Sequence, residues 1–127
     1  MIIFDASSVI RLLREAYFPR AFEIARECGY DLAITQQVYE ELEKNPETFN
    51  SLSSCKDFLI IDNVDEYCIS KISKRYPWLQ EGEISVLCAC MDKEQAGESY
   101  NCIINEKAGQ LGSKFGIKAN GTIDFLL

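Results

Sequence analysis

The residues best suited to chemistry in this chain are polar side chains that follow predicted strands or lie on the helices after them. They are Asp5, Glu40, Glu41, Glu83, Asn105 and Glu106. Asp5 and Asn105 each follow a short apolar run, and Glu83 follows the helix-breaking Gly82. In an open parallel sheet the working crevice lies beyond the carboxyl ends of the strands, so we expect these side chains to converge there.

A cluster of carboxylates at one edge of a sheet indicates a divalent cation. Carboxylates repel one another and lose solvation when they gather, so such clusters persist where a hard cation neutralises them. Bound Mg²⁺ or Mn²⁺ can align a water for in-line attack on a phosphodiester. Acids in the first turn of a helix also stabilise the helix dipole, which is the alternative interpretation of each acid taken alone. Helix phase does not decide between Glu40 and Glu41, because Val38 and Leu42 flank both.

Composition excludes several other kinds of chemistry. The chain has 127 residues, no His, and 20 Asp+Glu against 13 Lys+Arg, which gives a formal net charge of -7. The lack of His excludes Ser-His-Asp and Cys-His catalysis and His-ligated zinc or haem. The acidic balance argues against broad, charge-driven binding of duplex nucleic acid. Length and composition together predict a single domain over residues 1–127.

The cysteines and the N-terminus predict a cytoplasmic protein with no membrane association. The 6 cysteines are expected to be small buried hydrophobic residues, since no pair has the CxxC spacing of a zinc or redox motif. The N-terminus lacks the basic region and apolar run of a signal peptide. No window approaches the roughly 18 apolar residues of a membrane-spanning helix.

Short apolar runs alternate with helical patterns along the chain, which indicates βαβ units around a parallel sheet. Strands are predicted at 2–4, 32–34, 58–61, 100–104 and 117–119. Helices are predicted at 7–17, from Pro19 to a stop at Gly29, from a Thr35 N-cap to 44, at 64–76, after Gly82, and at 106–115. A short helix within 46–55 and an apolar tail at 122–127 complete the prediction. We expect a three-layer α/β/α fold with a central, mainly parallel sheet of four to five strands.

The acids lie in segments that resemble the PIN-domain family. Ile-Ile-Phe-Asp-Ala-Ser-Ser-Val-Ile at 2–10 resembles the Asp-x-Ser strand end that opens PIN domains, and Gly-Glu-Ile-Ser-Val-Leu at 82–87 resembles their Gly-Glu/Asp segment. Glu41, within Val-Tyr-Glu-Glu-Leu at 38–42, falls where the family has its second acid. The stretch 102–122 resembles a common ending with an acidic pair, a helix, a short strand and Gly-Thr. The PIN fold is the metal-dependent ribonuclease fold of many toxins of type II toxin–antitoxin systems.

The resemblance implies a set of residue roles. The catalytic acids would be Asp5, Glu41, Glu83 and Glu106. The ligands of Mg²⁺ or Mn²⁺ would be Asp5, Glu83, Asn105 and Glu106, with the Ser7 hydroxyl near the metal. It further implies cleavage of single-stranded RNA, a small antitoxin as protein partner, and a homodimer. Apolar surface for that dimer is expected on the helices around 9–13 and 22–25.

Three departures from the family pattern support a runner-up function. Asn105 stands where relatives often have the first Asp of the acidic pair, which removes one charge from a divalent site. Gln110 replaces a frequent Arg and removes a bidentate phosphate contact. Relatives continue past Gly-Thr into further helices that this sequence does not contain. The alternative is a non-catalytic PIN-like binding module with a weakened metal site.

Charge placement gives an expectation about substrate. Basic residues gather in the first two helices and before Pro77: Arg11, Arg14, Arg20, Arg26, Lys71, Lys74 and Arg75. They could guide a phosphate backbone, and Tyr76, Trp78 and Tyr100 could stack on bases, although solvated helix faces explain the same pattern. Phosphotransfer folds fit less well, because the first strand ends in Asp-Ala-Ser and not in Asp-x-Asp or an acidic pair.

Overall fold

The computed structural model describes residues 1–14, 19–46 and 58–121, with the side chains of residues 14, 19 and 106 left out. Five strands form one sheet in the order β3-β2-β1-β4-β5, and every neighbouring pair is parallel. The strands are β1 Ile2–Phe4, β2 Leu32–Thr35, β3 Leu59–Ile61, β4 Asn101–Ile103 and β5 Ala119–Asn120. The three-layer α/β/α fold with a parallel sheet is confirmed. Residues 47–55 of the expected short helix, which include Cys55, and the tail at 122–127 lie outside the described residues.

Helices connect the strands, as parallel neighbours require. They are α1 Ala6–Arg14, α2 Pro19–Glu27, α3 Gln36–Glu43, α4 Glu66–Arg75, α5 Glu81–Gln95 and α6 Glu106–Gly109, followed by a 3-10 helix at Gly112–Phe115. Gly29, at φ +89°, ends α2 in the left-handed region where glycine costs least. The Thr35 hydroxyl accepts from the Val38 amide at 3.1 Å, so the predicted N-cap of α3 is confirmed.

The core surrounds the two central strands. Every residue of β1 and β2 is buried, as expected of a parallel sheet covered on both faces. α5 packs on β1, β2 and β4 and also contacts α3 and α4. Residues 84–90 of α5 are therefore buried all round the helix. Because α5 is the most enclosed helix, its N-terminus has a fixed position relative to the ends of the strands.

The order of the strands places a topological switch point between β1 and β4. From β1 the chain runs to β2 and β3 on one side, and it then returns to β4 and β5 on the other. Phe4 pairs with Ile103, so the carboxyl ends of β1 and β4 are level with each other. Connections that leave in opposite directions open a crevice at such a point, where α/β proteins bind their ligands.

Several expectations for the periphery are wrong. The helix predicted at 106–115 is divided into α6 and the 3-10 helix. A Cβ at Gly112 would lie 3.2 Å from the Cβ of Ala119, so the close approach to β5 shapes this segment. The fifth strand lies at 119–120, two residues later than predicted at its start.

The anticipated dimer surface is largely used within the chain itself. Val9, Leu12 and Phe22 are fully buried in the core. Of the residues around 22–25, Ile24 alone is a large exposed hydrophobic residue, with 55% of its surface accessible. A search of the described residues finds no helix with the length and apolar character needed to cross a membrane.

Candidate functional site

The candidate site lies at the switch point, where β1 ends at Asp5 and β4 is followed by Asn105. The Asp5 backbone amide donates to the Ile103 carbonyl oxygen at 3.0 Å, which continues the parallel ladder by one residue. The Asn105 backbone amide then donates to Oδ2 of Asp5 at 3.0 Å. Main-chain pairing of β1 with β4 therefore sets the separation of Asp5 and Asn105.

The Asp5 carboxylate is fully buried and held by three donors. Oδ1 accepts from the Ser8 amide at 2.9 Å, and Oδ2 accepts from the Asn105 amide and from Oγ of the exposed Ser7 at 3.1 Å. The Ser8 amide lies in the first turn of α1, so the side chain also caps that helix. A buried charge is tolerated when it is hydrogen-bonded in this way. Asp5 is consequently a rigidly positioned negative charge.

Glu83 and Asn105 form a second contact across the crevice. Oε1 of Glu83 accepts from the Gln80 amide at 3.1 Å, which is half of a capping box at the start of α5. Oε2 accepts from Nδ2 of Asn105 at 2.5 Å. Oδ1 of Asn105 accepts from the Ala108 amide at 3.1 Å. Both neighbours require this orientation of the Asn105 side-chain amide, because the Glu83 carboxylate is a hydrogen-bond acceptor and the Ala108 amide is a donor. The amide nitrogen, and not the oxygen, therefore faces the carboxylate.

Glu41 is the acid of α3 that reaches the site. Its Oε1 accepts from the Gly82 amide at 3.0 Å, whereas Glu40 is exposed and its Oε1 accepts from Nε2 of Gln36 at 3.4 Å. Burial raises the pKa of Glu41, and the like charges of Glu83 and Asp5 raise the pKa further. The Gly82 amide and Lys44 act in the opposite direction. The carboxylates of Asp5 and Glu83 are thus close enough to Glu41 to influence its ionisation.

Glycine is required at position 82 for the Glu41 carboxylate to approach α5. An ideal Cβ at this position would lie 2.5 Å from Oε1, 2.8 Å from Cδ and 3.0 Å from Oε2 of Glu41. Two of these separations are shorter than any that real Cβ atoms show. Beyond breaking the helical pattern and opening the Gly-Glu segment, Gly82 makes room for the carboxylate of Glu41.

A buried hydroxyl pair connects α3 to α5 beneath the carboxylates. Oγ1 of Thr35 and Oγ of Ser85 are 2.7 Å apart, and the Ser85 hydroxyl donates to the Gly82 carbonyl oxygen at 2.6 Å. Since each hydroxyl has one hydrogen, Thr35 donates to Ser85 while it accepts from the Val38 amide. This relay of hydrogen bonds fixes Gly82 relative to the helix that carries Glu41. Neither hydroxyl was identified from the sequence, where Thr35 was seen only as an N-cap.

The donor chemistry of the site fits a hard divalent cation. Asp5, Glu41 and Glu83 supply carboxylate oxygens, the ligands that Mg²⁺ and Mn²⁺ prefer. Within residues 1–14, 19–46 and 58–121, none of the three forms an ion pair with Lys or Arg. In that same part of the chain, no group of three or more His, Cys, Asp and Glu side chains is arranged to hold a metal ion as it stands. The side chain of Glu106, the fourth predicted catalytic acid, is not among those described.

The predicted substrate-guiding residues are spread over two surfaces. Arg11, Arg20, Lys71, Lys74 and Arg75 are exposed, and the side chain of Arg14 is outside the described set. Two residues have other roles. The guanidinium of Arg26 packs 5.6 Å from the centre of the Phe58 ring. The Tyr100 hydroxyl donates to Oε2 of Glu94 at 2.6 Å and accepts from the Lys118 amide at 3.2 Å. Trp78 is the exposed aromatic of the predicted set, with 55% of its surface accessible.

No family model, no curated protein and no solved structure matches the chain. The similarity to PIN domains consequently depends on the sequence segments quoted above. The function must therefore be argued from the crevice between β1 and β4 and the side chains that reach it.

Proposed function

We propose that this protein is an Mg²⁺- or Mn²⁺-dependent endoribonuclease that hydrolyses phosphodiester bonds in single-stranded RNA. The observation that carries the proposal is the convergence of Asp5, Glu41 and Glu83, from three separate elements, at the β1/β4 switch point. The raised pKa of Glu41 is the physical signature of that convergence, because burial and two neighbouring carboxylates all disfavour its charged form. Clusters of this kind are characteristic of functional sites.

The chain itself supplies rigid positioning of the charges. Asp5 is held by three hydrogen bonds, Glu83 by the start of α5 and by Asn105, and Glu41 by the Gly82 amide. A preorganised set of charges does not have to reorganise when a substrate binds. A bound divalent cation supplies the charge neutralisation and the Lewis acidity that make water an adequate nucleophile near neutral pH. The absence of His is compatible with this chemistry.

Ser7 is suited to contact water or ribose at the mouth of the site. Its hydroxyl hydrogen is directed to Oδ2 of Asp5, and the side chain is exposed to solvent. The two lone pairs of its oxygen are therefore available to accept a hydrogen bond from outside. The proposal gives Ser7 this orienting role and gives the carboxylates the role of holding the cation.

Single-stranded RNA is the substrate class that agrees best with the charge distribution. The net charge of -7 is unfavourable for binding along a duplex. The exposed cations Lys71, Lys74 and Arg75 lie on α4, and the exposed Trp78 follows shortly after this helix. A small basic surface beside an aromatic side chain is typical of single-strand binding, where bases stack and the phosphates follow the cations.

The direct test is cleavage of a labelled single-stranded RNA by the purified protein with Mn²⁺, with Mg²⁺ and with EDTA. Glu83→Gln and Glu41→Gln remove one charge each and keep an oxygen acceptor at the same place. Glu40→Gln is the matched control, because this neighbour on the same helix is exposed and its carboxylate accepts from Gln36 and not from the Gly82 amide. Asp5→Asn is informative only with a folding check. The new amide nitrogen would face at least one of the three donors that hold the Asp5 carboxylate, and two donors cannot form a hydrogen bond.

We expect cleavage that requires the cation, decreases at least tenfold in Glu41→Gln and Glu83→Gln, and is unchanged in Glu40→Gln. Equal cleavage by all variants would indicate a contaminating ribonuclease. A folded wild-type protein that does not cleave RNA with either cation would refute the proposal. The same preparations, examined by circular dichroism, show whether a loss of activity reflects a loss of fold.

A second candidate function follows from Asn105. Its amide nitrogen donates to Glu83 and so satisfies a carboxylate oxygen that a cation would otherwise neutralise. This observation favours a non-catalytic module that binds RNA or a protein partner through the same crevice. The two functions differ in one measurement. The enzyme cleaves RNA when the cation is present, whereas the module binds RNA or its partner without cleavage and without a requirement for the cation.

The proposed enzyme also has expected protein partners. As a toxin of a toxin–antitoxin pair it would be inhibited by a small antitoxin, and a cationic side chain such as Arg would complement the three carboxylates. Co-purification of a basic peptide segment that blocks both cleavage and cation binding would support this partner. A homodimer is the second expectation, and light scattering at micromolar concentration that shows monomer alone would refute it.

A further inference from the structure

Two cysteines on neighbouring helices are in direct contact. Cys68 is on α4 and Cys88 is on α5, and their sulfur atoms are 2.8 Å apart. This is a close approach for two sulfur atoms that are not covalently bonded. The helices pack directly on each other, so the contact is part of the regular α4–α5 interface.

We propose that Cys68 and Cys88 form a reversible disulfide that joins α4 to α5. A disulfide bond is about 2.05 Å long, so the sulfur atoms need to approach by only about 0.8 Å. Side-chain rotation can supply a movement of this size. The proposal concerns α4 and α5 alone and does not depend on the ribonuclease function.

The environment of the pair lets an oxidant reach one sulfur first. Both cysteines line a cavity of about 400 Å³ between α4 and α5, together with Tyr76 and Met91. Cys68 is half-buried, whereas Cys88 is 4% exposed. Burial raises the pKa of the Cys88 thiol, as does its hydrogen bond with Cys68. Because Cys68 is the more accessible of the two, it is the residue that meets the oxidant.

The chemistry balances with a peroxide as the two-electron oxidant. The sulfur of Cys68 attacks one oxygen of hydrogen peroxide, the O–O bond breaks, and water leaves as the residue becomes a sulfenic acid. The sulfur of Cys88 then attacks the sulfur of Cys68, the S–O bond breaks, and the departing hydroxide takes the Cys88 proton to form a second water. Two thiols have lost two electrons and two protons, and one peroxide has become two waters. A small dithiol reverses the reaction by exchange.

The other described cysteines provide internal controls. Cys90 on α5 and Cys102 on β4 also lie near each other, but both are fully buried and therefore shielded from oxidants. Cys28 is exposed on the surface. The structure thus offers a partly accessible pair, an inaccessible pair and an accessible single thiol in one chain. Selective linkage of the first pair is the distinguishing expectation.

The test is peptide mapping of the folded, full-length chain after treatment with hydrogen peroxide. The peroxide is then removed, free thiols are blocked with N-ethylmaleimide in denaturant so that buried thiols also react, and the protein is digested with trypsin. Cys68 then lies in peptide 57–71, Cys88 and Cys90 share peptide 76–93, and Cys102 lies in peptide 94–107. The peptide that is linked to 76–93 therefore distinguishes a disulfide to Cys68, in 57–71, from a disulfide to Cys102, in 94–107. Variants Cys68→Ser, Cys90→Ala and Cys28→Ser are treated in parallel, with circular dichroism as a check of folding.

We expect peptide 57–71 linked to peptide 76–93 as the main oxidised product in wild type, Cys90→Ala and Cys28→Ser, and its complete loss in Cys68→Ser. The midpoint of thermal unfolding should rise by roughly 10 °C on oxidation and return on addition of dithiothreitol. Oxidation of Cys28 with both of these peptides still blocked by N-ethylmaleimide would overturn the proposal. Linkage of 76–93 to 94–107 in its place would overturn it equally.

Discussion

Replacement of Gly82 by Ala separates the geometry of the site from the stability of the fold. The new Cβ would lie 2.5 Å from Oε1 of Glu41, and ordinary contact begins at 3.4 Å, so the carboxylate must retreat by about 0.9 Å. That movement also breaks the hydrogen bond from the residue-82 amide to Oε1. The backbone has no positive φ at this position, so alanine itself is not strained.

The two contributions to the free energy of unfolding largely offset each other. A hydrogen bond to a charged group contributes about 1.5 to 3 kcal/mol, and at this half-exposed carboxylate the loss falls at or below the lower end. Alanine in place of glycine in a helix contributes about 0.5 to 1 kcal/mol in the opposite direction. The Glu41 carboxylate also becomes more exposed to water, which lowers the desolvation cost of its charged form. We expect the stability of Gly82→Ala to be within about 1 kcal/mol of wild type.

Activity should respond far more strongly than stability. A displacement near 1 Å of a catalytic group costs up to about 100-fold in rate, so we expect RNA cleavage by Gly82→Ala to fall between tenfold and 100-fold. The assays are RNA cleavage with Mn²⁺ and urea unfolding on the same preparations. Gly97→Ala is the matched control, because its φ of +70° strains alanine while the position follows the C-terminus of α5, at the opposite end of this helix from Gly82. This control should lose stability and keep activity.

A double variant tests the assigned cause. If Gly82→Ala acts through the Glu41 carboxylate, then adding Glu41→Gln should cause little further loss of activity, since both changes disable the same group. Independent effects would instead multiply. Full activity of Gly82→Ala, or multiplicative losses in the double variant, would refute the reasoning.

Three further outcomes follow from the same contacts. Asn105→Asp removes the hydrogen-bond donor to Glu83 and adds a charge. Thermal stability in EDTA should therefore fall, and the stabilisation by Mg²⁺ or Mn²⁺ should increase. An unchanged response to the cation would contradict the proposed ligand set. Because the pKa of Glu41 is raised in the folded protein, the folded state binds this proton more tightly than the unfolded state does. The free energy of unfolding therefore decreases as pH rises and the Glu41 carboxyl group ionises. Glu41→Gln should therefore gain thermal stability over wild type from about pH 4.5 upward, whereas Glu40→Gln should show no such trend. Ser85→Ala leaves the buried Thr35 hydroxyl without its acceptor and should cost about 2 to 3 kcal/mol in urea unfolding.

Much of the fold was accessible from local pattern. The first strand is found at 2–4 as predicted, Asp5 ends it, and Thr35 caps the next helix as expected. Such features depend on an apolar run and one or two neighbouring polar residues, so the sequence of a short window contains the information. Predictions failed where packing overrides pattern, as at Gly112, whose approach to Ala119 shapes the segment predicted as one helix.

The chemistry-bearing residue types were determined by the sequence alone. In a chain without His, the acids after the apolar runs and the glycine before Glu83 predict carboxylate and cation chemistry at the end of a parallel sheet. The position of Asp5 beside Asn105 follows from the strand order, which the alternation of elements indicated only in general terms.

Only the tertiary structure decided how these groups face one another. It selected Glu41 over Glu40, turned the amide nitrogen of Asn105 toward Glu83, and brought Cys68 to Cys88. These contacts join residues 41, 22 and 20 positions apart in the chain. Their geometry depends on how helices pack across the sheet, and a packing arrangement is a property of the whole core that no local window of sequence contains.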